Sequence, residues 1–285
     1  MYLQKKTLFL PPQKKQNKFR KTTVNIYNLY IFAHRVKFMK YLERLYDKVL
    51  FTKQDIKALT GNDLSARMML LYYCKRGYIK QIRKNLYGVV NPITKNIEAN
   101  KMQIASAISE TAYLAYHSAL EYYGTAHQTF FELTIVSATR FNYFEFEGIG
   151  YKYVKNTIQD GVVSRMENSK VMVTSLERTI IDCIDRIDLA GGCEELFHCL
   201  EAVKYADQNL LLHFLELYNK KSLYNKTGYV LENKTRIPLS ENFYDICLSR
   251  GKNCISRIAE NNTQAVFNKK WHLYVPQDNV DNYDV

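Results

Sequence analysis

The chain has 285 residues, 47% of them hydrophobic and 24% charged, with a formal net charge of +12 and six cysteines. This length allows two domains, the larger with a sizeable core, and no sequence window is long and apolar enough for a membrane span. We therefore expect a protein without a membrane partner. The cysteines contain no CxxC pair, so we expect free thiols in a reducing cytoplasm.

The positive charge is concentrated in the first third of the chain. Residues 1–38 carry nine Lys or Arg and no Asp or Glu, residues 39–92 carry eleven basic and four acidic residues, and residues 93–285 carry twenty basic and twenty-four acidic residues. A basic module attached to a mildly acidic body is typical of a DNA-binding domain joined to an effector domain.

Residues 1–38 show neither helical nor strand periodicity, and their basic composition predicts disorder. They form either a basic arm that adds phosphate affinity or a gene-model extension, with translation starting at Met39, and we prefer the second interpretation.

Residues 39–92 predict a winged helix-turn-helix domain. A support helix is expected over Met39–Val49, with Leu42, Leu45 and Tyr46 on one side. Thr52 with Asp55 forms a capping-box pattern at the start of the next helix, and Gly61 is placed to end it. The order helix, tight turn, helix and basic hairpin is that of proteins whose second helix enters the DNA major groove.

The second helix is expected from Asn62 or Asp63 to about Arg76. The spacing of Leu64, Met68, Leu71 and Tyr72 predicts the stripe that faces the core. The opposite side would then present Ser65, Ala66, Arg67 and Met69 to solvent. Arg67 is expected to pair with a guanine, and Ser65 to contact bases less selectively.

The hairpin is expected to have strands Ile79–Arg83 and Leu86–Val90, joined at Lys84-Asn85. Asn85 suits the turn because asparagine tolerates positive φ. Lys80, Arg83 and Lys84 place positive charge where phosphates or the minor groove would lie. A plain helical hairpin with a solvated basic face is the alternative.

The remainder predicts a larger α+β domain over residues 93–275, followed by a frayed tail at 276–285. Strands come first and helices after, which favours a mixed or antiparallel sheet. The expected elements are a connecting helix at Glu98–Ser109, a brief strand and short helix in Tyr113–Gly124, strands at Phe130–Ser137, Phe141–Phe146, Tyr151–Val154, Gly161–Met166 and Val171–Val173, a helix at Thr174–Ile187, two or three helices from Glu194 to about Asn233, a helix near Ser240 and an edge strand within Phe267–Val275.

No pattern in this domain indicates catalysis, a metal or a cofactor. Glu177 is expected to form a capping box with Thr174, and Arg178 and Asp182 an i,i+4 ion pair. His117 stands beside Ser118 without the order of a catalytic triad. Cys193 and Cys199 near His198 fit no zinc spacing. We therefore expect a protein that is not an enzyme and has no cofactor or metal.

Three signatures carry a resemblance to AbiEi-type antitoxins. The first is Arg76-Gly77-Tyr78-Ile79 with Ile82-Arg83-Lys84-Asn85-Leu86-Tyr87, the second is the element ending at Tyr123-Gly124, and the third is Ser175-Leu176-Glu177-Arg178 followed by Asp182. The resemblance covers about Tyr41 to Val203. Asn85 stands where the family usually has a glycine, and Leu176 lacks a nearby proline that is usual there.

The resemblance implies a bacterial transcriptional repressor that binds operator DNA upstream of its own operon. It also implies an antitoxin of type IV, which neutralises a nucleotidyltransferase-like toxin from the next gene without a stable complex, using the C-terminal domain. Ser65 and Arg67 would then read bases, and Lys80, Arg83 and Lys84 would contact backbone or minor groove. Two alternatives remain open: a ligand-sensing repressor unrelated to toxins, and a phage-defence enzyme targeted by the winged helix.

Overall fold

A computed structural model describes residues 41–156, 158–166, 170–258 and 264–277. The chain is an α+β protein that divides into two compact units. The described residues of the first unit are 41–80 and 87–98, and those of the second are 81–86 and 99 onward. The predictions for residues 1–38 lie outside the described residues, as does the predicted tail from residue 278 on.

The first unit contains three helices and most of a small sheet, whereas the tip of its hairpin, residues 81–86, is assigned to the second unit. The hairpin strands and the strand before the second helix form one sheet in the order β1-β3-β2. The elements are α1 (residues 41–46), β1 (Leu50–Thr52), α2 (Lys53–Thr60), α3 (Asp63–Arg76), β2 (Ile79–Arg83) and β3 (Leu86–Val89).

The caps of α2 and α3 and the hairpin turn form as the sequence predicts, whereas the predicted support helix Met39–Val49 ends at residue 46, and the strand β1 that follows it was not predicted. Thr52 accepts a hydrogen bond from the backbone N–H of Asp55, whose carboxylate accepts one from the backbone of Thr52, so the capping box is confirmed. Gly61 ends α2 with a φ of 84°, a left-handed conformation that glycine adopts without a steric cost. Asn85 turns the hairpin with a φ of 68°, also as predicted.

The second unit is built on a six-stranded mixed sheet. Its strand order is β6-β7-β5-β4-β9-β8, in which β4 pairs with β9, and β5 with β7, in parallel. The other neighbours are antiparallel. The strands are β4 (Tyr113–Leu114), β5 (Glu132–Val136), β6 (Phe144–Phe146), β7 (Ile149–Val154), β8 (Val162–Met166) and β9 (Lys170–Thr174).

Helices supply much of the remaining core of this unit. The helix after β9 buries Ile180, Ile181 and Ile184 completely, against the helices that follow it. The region from residue 194 to residue 233, predicted to be two or three helices, holds three. The helices of the unit are α4 (Lys101–Ser106), α5 (His117–Tyr122), α6 (Leu176–Asp185), α7 (Cys193–Glu201), α8 (Gln208–Tyr218), α9 (Lys221–Asn233) and α10 (Glu241–Gly251).

In the described residues after the last helix there are three strands, so the order is not simply strands before helices. They are β10 (Ser256–Arg257), β11 (Ala265–Asn268) and β12 (Leu273–Pro276), and they form a separate sheet with β12 at its centre. The prediction of one edge strand there was therefore wrong. A turn between residues 268 and 273 folds the segment into a hairpin. The run of apolar residues at Phe267–Val275 gave no sign of this turn.

No helix in the described part of the chain is long and apolar enough to cross a bilayer.

Candidate functional site

The first candidate site is the exposed face of α3. The helix starts where the side chain of Asn62 accepts a hydrogen bond from the backbone N–H of Ser65 at 2.8 Å, and it ends at Gly77, which has a φ of 72°. Asn62 is thus the cap, one of the two residues predicted. Local capping fixes both ends of the helix and so the positions that its exposed face can offer.

The predicted core stripe of α3 was wrong. Leu64, Met68 and Leu71 are exposed, and Tyr72 is only partly buried. The side chains that face the core of the first unit are instead those of Ala66, Met69, Leu70 and Tyr73. Apolar residues occur all round this helix, so periodicity alone does not single out the buried side.

Ser65 and Arg67, the predicted base-reading residues, both lie on the exposed side of α3. The side chain of Arg67 is 69% exposed, and its Nε lies 3.8 Å from an oxygen of Asp63. That separation is a loose surface ion pair, which contributes little to stability. The guanidinium can therefore leave Asp63 for another partner at low cost.

The three predicted hairpin residues differ in their surroundings. Lys80 and Lys84 are exposed. Arg83, which belongs to the second unit, is partly buried, and its guanidinium carbon lies 5.3 Å from the ring centre of Phe141 and 5.0 Å from that of Phe144. Burial lowers the pKa of Arg83. Its stacking on two rings gives Arg83 a structural role within the second unit.

The second candidate site is a buried carboxylate in the second unit. The side chain of Glu195, on α7, has no exposed surface. Its Oε1 lies 2.9 Å from Nε2 of His117 and accepts hydrogen bonds from the backbone N–H groups of His127 at 3.1 Å and Gln128 at 2.9 Å. The thiol of Cys199 donates to the same oxygen at 3.1 Å. Glu195 thereby joins α5, α7 and the loop before β5.

Burial by itself raises the pKa of Glu195, but the hydrogen bonds from Gln128, His117 and Cys199 outweigh it and lower the pKa to about 2. His117, Glu195 and Cys199 each bring one ligand atom within 4.8 Å of the others, a set that could hold a metal ion. The four donors to Oε1 of Glu195 already satisfy that oxygen, so a metal ion is not needed to do so. The interpretation that these contacts support best is structural: the buried carboxylate of Glu195 holds the loop at His127 and Gln128 in place.

Glu195→Gln is expected to lower the free energy of unfolding at neutral pH by about 2 kcal/mol, because the bonds from His117, Gln128 and Cys199 would then go to a neutral acceptor. Since the folded-state pKa lies below the ordinary 4.5, the wild type should keep this contribution above about pH 4.5 and lose it as the pH falls towards 2. Chemical denaturation between pH 7 and 3 measures both effects.

The neighbouring residue supplies the control for that experiment. Glu194 is exposed on the same helix, so Glu194→Gln should leave stability nearly unchanged at neutral pH. Equal pH dependence of wild type and Glu195→Gln would show that Glu195 is not the group being titrated.

Asp182 and Glu177 have structural partners. Asp182 is fully buried, with Oδ2 3.3 Å from Nε of Arg178, so the predicted i,i+4 pair is confirmed. The predicted capping box of Thr174 and Glu177 was wrong: Ser175 caps α6, and Glu177 accepts a hydrogen bond from the backbone N–H of Asp207 at 3.2 Å. The strand β9 runs one residue further than predicted, to Thr174, which shifts the cap.

The cysteines are free thiols, as expected. Cys183, Cys193, Cys199 and Cys247 are buried, whereas Cys74 is exposed on α3. The thiol of Cys193 donates to the carbonyl of Ile258 at 2.9 Å.

A cleft of about 570 Å³ in the second unit has His117 in its wall. Its other side chains include the aromatic rings of Phe130 and Tyr143 and the charged pair Glu132 and Lys152, whose atoms are 3.1 Å apart. A volume of this order is enough for a small organic ligand. Sequence reasoning missed both the cleft and Glu195, because their residues are far apart along the chain.

A scan of protein-family models finds no match, and a search of curated proteins finds none. Among solved structures, the chain is similar to the crystal structure of RV2827C protein from Mycobacterium tuberculosis. The TM-score is 0.61 and the sequence identity 15%, over 86% of this chain and 91% of the other. At this identity the similarity is one of fold alone.

Proposed function

We propose that the first unit is a winged helix-turn-helix domain and that the protein is a sequence-specific transcriptional repressor of its own operon. The observation that carries this proposal is the arrangement of α1 to β3. A strand precedes two capped helices, and a basic hairpin then returns to pair with that strand in the order β1-β3-β2. Such domains insert their second helix into the major groove.

The residue roles follow from exposure and charge. Ser65 and Arg67 on α3 would contact base edges, Arg67 by a bidentate bond to guanine. Lys80 and Lys84 would contact phosphates or the minor groove. Arg83 could reach DNA only by leaving Phe141 and Phe144, so we assign it a smaller share of the phosphate contacts than the two lysines.

We further propose that the second unit provides antitoxin activity against a nucleotidyltransferase-like toxin encoded by the next gene, without a stable complex and without catalysis. Support comes from the AbiEi resemblance and from the way its signature elements meet. Tyr123, in the second signature, donates to the carbonyl of Thr174, just before the third, at 2.7 Å. Arg178, in the third, donates to the hydroxyl of Tyr113 at 3.2 Å.

Arg67→Ala is expected to weaken binding to the DNA upstream of the gene by about 1–3 kcal/mol, while leaving binding to a scrambled duplex of equal length nearly unchanged. Lys84→Ala should weaken binding to both duplexes similarly. It should also reduce the slope of log affinity against log salt concentration by about one, because one phosphate contact is lost. Anisotropy titrations from about 50 to 300 mM salt measure both effects.

Arg236, which is exposed in the second unit, provides the matched control. Arg236→Ala should bind both duplexes as the wild type does. If the wild type binds upstream and scrambled DNA equally at every salt concentration, the first unit is a nonspecific tether and the repressor proposal fails.

Antitoxin activity requires its own test, in which the downstream gene is induced with and without this protein. Rescue of growth by the full chain, and by a variant that no longer binds DNA, would place the activity outside operator binding. Growth arrest despite full expression of the protein would contradict the antitoxin proposal.

The cleft beside His117 favours one second candidate, a repressor that senses a small ligand. Its volume and its mixed aromatic and charged lining suit such a ligand. The gene downstream separates the candidates: a nucleotidyltransferase favours the antitoxin, and a transporter or metabolic gene favours the sensor.

A further inference from the structure

The exposed face of α3 has an apolar centre. Leu64 is 72% exposed, Met68 58% and Leu71 66%. Spacings of four and three residues place these side chains in one stripe along the helix. Ser65 and Arg67 lie on either side of that stripe, so the side chains with the best access to a surface docked on α3 are apolar.

The positive charge around this apolar stripe favours DNA as its partner. Arg67, Lys75 and Arg76 are exposed along α3, and residues 39–92 together have a large excess of positive charge. A second copy of this face would meet the same positive charge, and repulsion would oppose the contact. A DNA groove instead offers phosphates on both sides of the stripe.

The major groove has one apolar feature, the C5-methyl group of thymine. From Leu64 to Leu71 the helix rises about 10 Å, which corresponds to roughly three base pairs at 3.4 Å each. We propose that Leu64, Met68 and Leu71 read thymine methyl groups, so that the site contacted by α3 is a short A·T-rich run beside the guanine that Arg67 contacts. This inference rests on the proposed DNA-binding function.

Deoxyuridine in place of thymine tests the inference, because it removes the methyl group and leaves base pairing intact. The full chain is titrated with the upstream duplex in its thymine and deoxyuridine forms, and with a scrambled duplex in both forms, at one salt concentration. Burial of a methyl group contributes about threefold to fourfold in affinity. We therefore expect the thymine form of the upstream duplex to bind about tenfold or more tightly than its deoxyuridine form.

The triple variant Leu64→Ala, Met68→Ala and Leu71→Ala should lose this preference while still binding the deoxyuridine duplex. These side chains are exposed, so their truncation should not disturb the core of the first unit. Leu210, exposed on α8, gives the control, and Leu210→Ala should keep the wild-type preference.

The other outcomes show which of the two proposals fails. Specific upstream binding with equal affinity for both forms would overturn methyl readout and leave the repressor proposal standing. A preference that persists in the triple variant would likewise overturn the role of this stripe. A wild-type dimer that the triple substitution converts to a monomer in sedimentation would show a protein interface instead. If upstream and scrambled duplexes bind equally, both proposals fail.

Discussion

Replacing Asp182 by asparagine is expected to destabilise the second unit by about 3–5 kcal/mol, because it leaves a charged guanidinium buried without its carboxylate. Both Arg178 and Asp182 are completely buried, and the contact of 3.3 Å joins Nε to Oδ2. Neither of these two atoms makes a hydrogen bond with another described group. The hydroxyl of Tyr218 donates to the other carboxylate oxygen, Oδ1, and asparagine, of nearly the same volume, can still accept that bond, so the loss should report charge rather than packing.

Unfolding in denaturant, followed by the fluorescence of Trp271, measures this effect. Trp271 is the only tryptophan of the chain and lies in the core of the second unit, so its signal follows that unit. Asp188→Asn is the matched control, since Asp188 pairs with Arg186 at 2.7 Å on the surface. An exposed pair of this kind contributes at most about 1 kcal/mol.

A double substitution tests the electrostatic cause. Arg178→Met with Asp182→Leu removes both charges, and it should recover part of the stability that Asp182→Asn loses. Recovery should be partial because Arg178 also donates hydrogen bonds to the carbonyls of Ile158 and Asp160. Stability of Asp182→Asn within about 1 kcal/mol of the wild type would contradict the explanation.

The helix ends in the first unit could be predicted from the sequence because caps are local. Thr52 and Asp55 are three residues apart, and the αL conformation at Gly61 needs only the absence of a side chain. The buried face of α3 could not be predicted in the same way. Met68 and Met69 are neighbours of one type, yet one is exposed and the other buried, because only the packing of the unit distinguishes them.

Contacts of large sequence separation limited prediction in the second unit. Glu195 follows another glutamate at the start of a helix, a position that usually favours exposed acidic residues. Its partner His117 lies 78 residues earlier in the chain. No local pattern joins the two, whereas Arg178 and Asp182, four residues apart, could be paired from the sequence although not recognised as buried.

The β-strands lie between these extremes. Apolar runs located the strands of the six-stranded sheet to within a few residues, since alternation and β-branched residues are local signals. Their order was not predictable. β4 lies between β5 and β9, although five elements separate β4 from β9 in the chain. Pairing of strands that are distant in the chain depends on contacts that the local pattern of apolar residues does not specify.

Replacing Gly228 by alanine is expected to destabilise the second unit by about 3 kcal/mol, because the new methyl group would overlap a buried ring. A Cβ at this position would lie 2.0 Å from the nearest ring carbon of Trp271. Alanine is otherwise favoured over glycine inside a helix by about 1 kcal/mol. A net loss of stability would therefore mean that packing outweighs helix propensity at this position in α9.

Trp271 cannot move aside cheaply. Its Nε1–H donates to Glu232 at 2.8 Å, and its backbone N–H donates to the side chain of Asn268 at 3.0 Å. Shifting the ring would weaken these bonds and expose one of the largest buried side chains of the unit. We expect the tryptophan emission of Gly228→Ala to move to longer wavelength in the native state, together with the loss of stability.

Two further variants decide whether the ring is the cause. Lys221→Ala, at an exposed position of the same helix, should change stability by no more than about 0.5 kcal/mol. Trp271→Phe shortens the ring that meets the new methyl group, so adding Gly228→Ala to it should cost less than adding Gly228→Ala to the wild type. Because Trp271→Phe removes the only tryptophan, unfolding in both backgrounds is followed by the loss of helical circular dichroism. An equal cost in both backgrounds would place the strain elsewhere in α9. The reduced cost would show that overlap between the new methyl group and the ring of Trp271 causes the loss of stability.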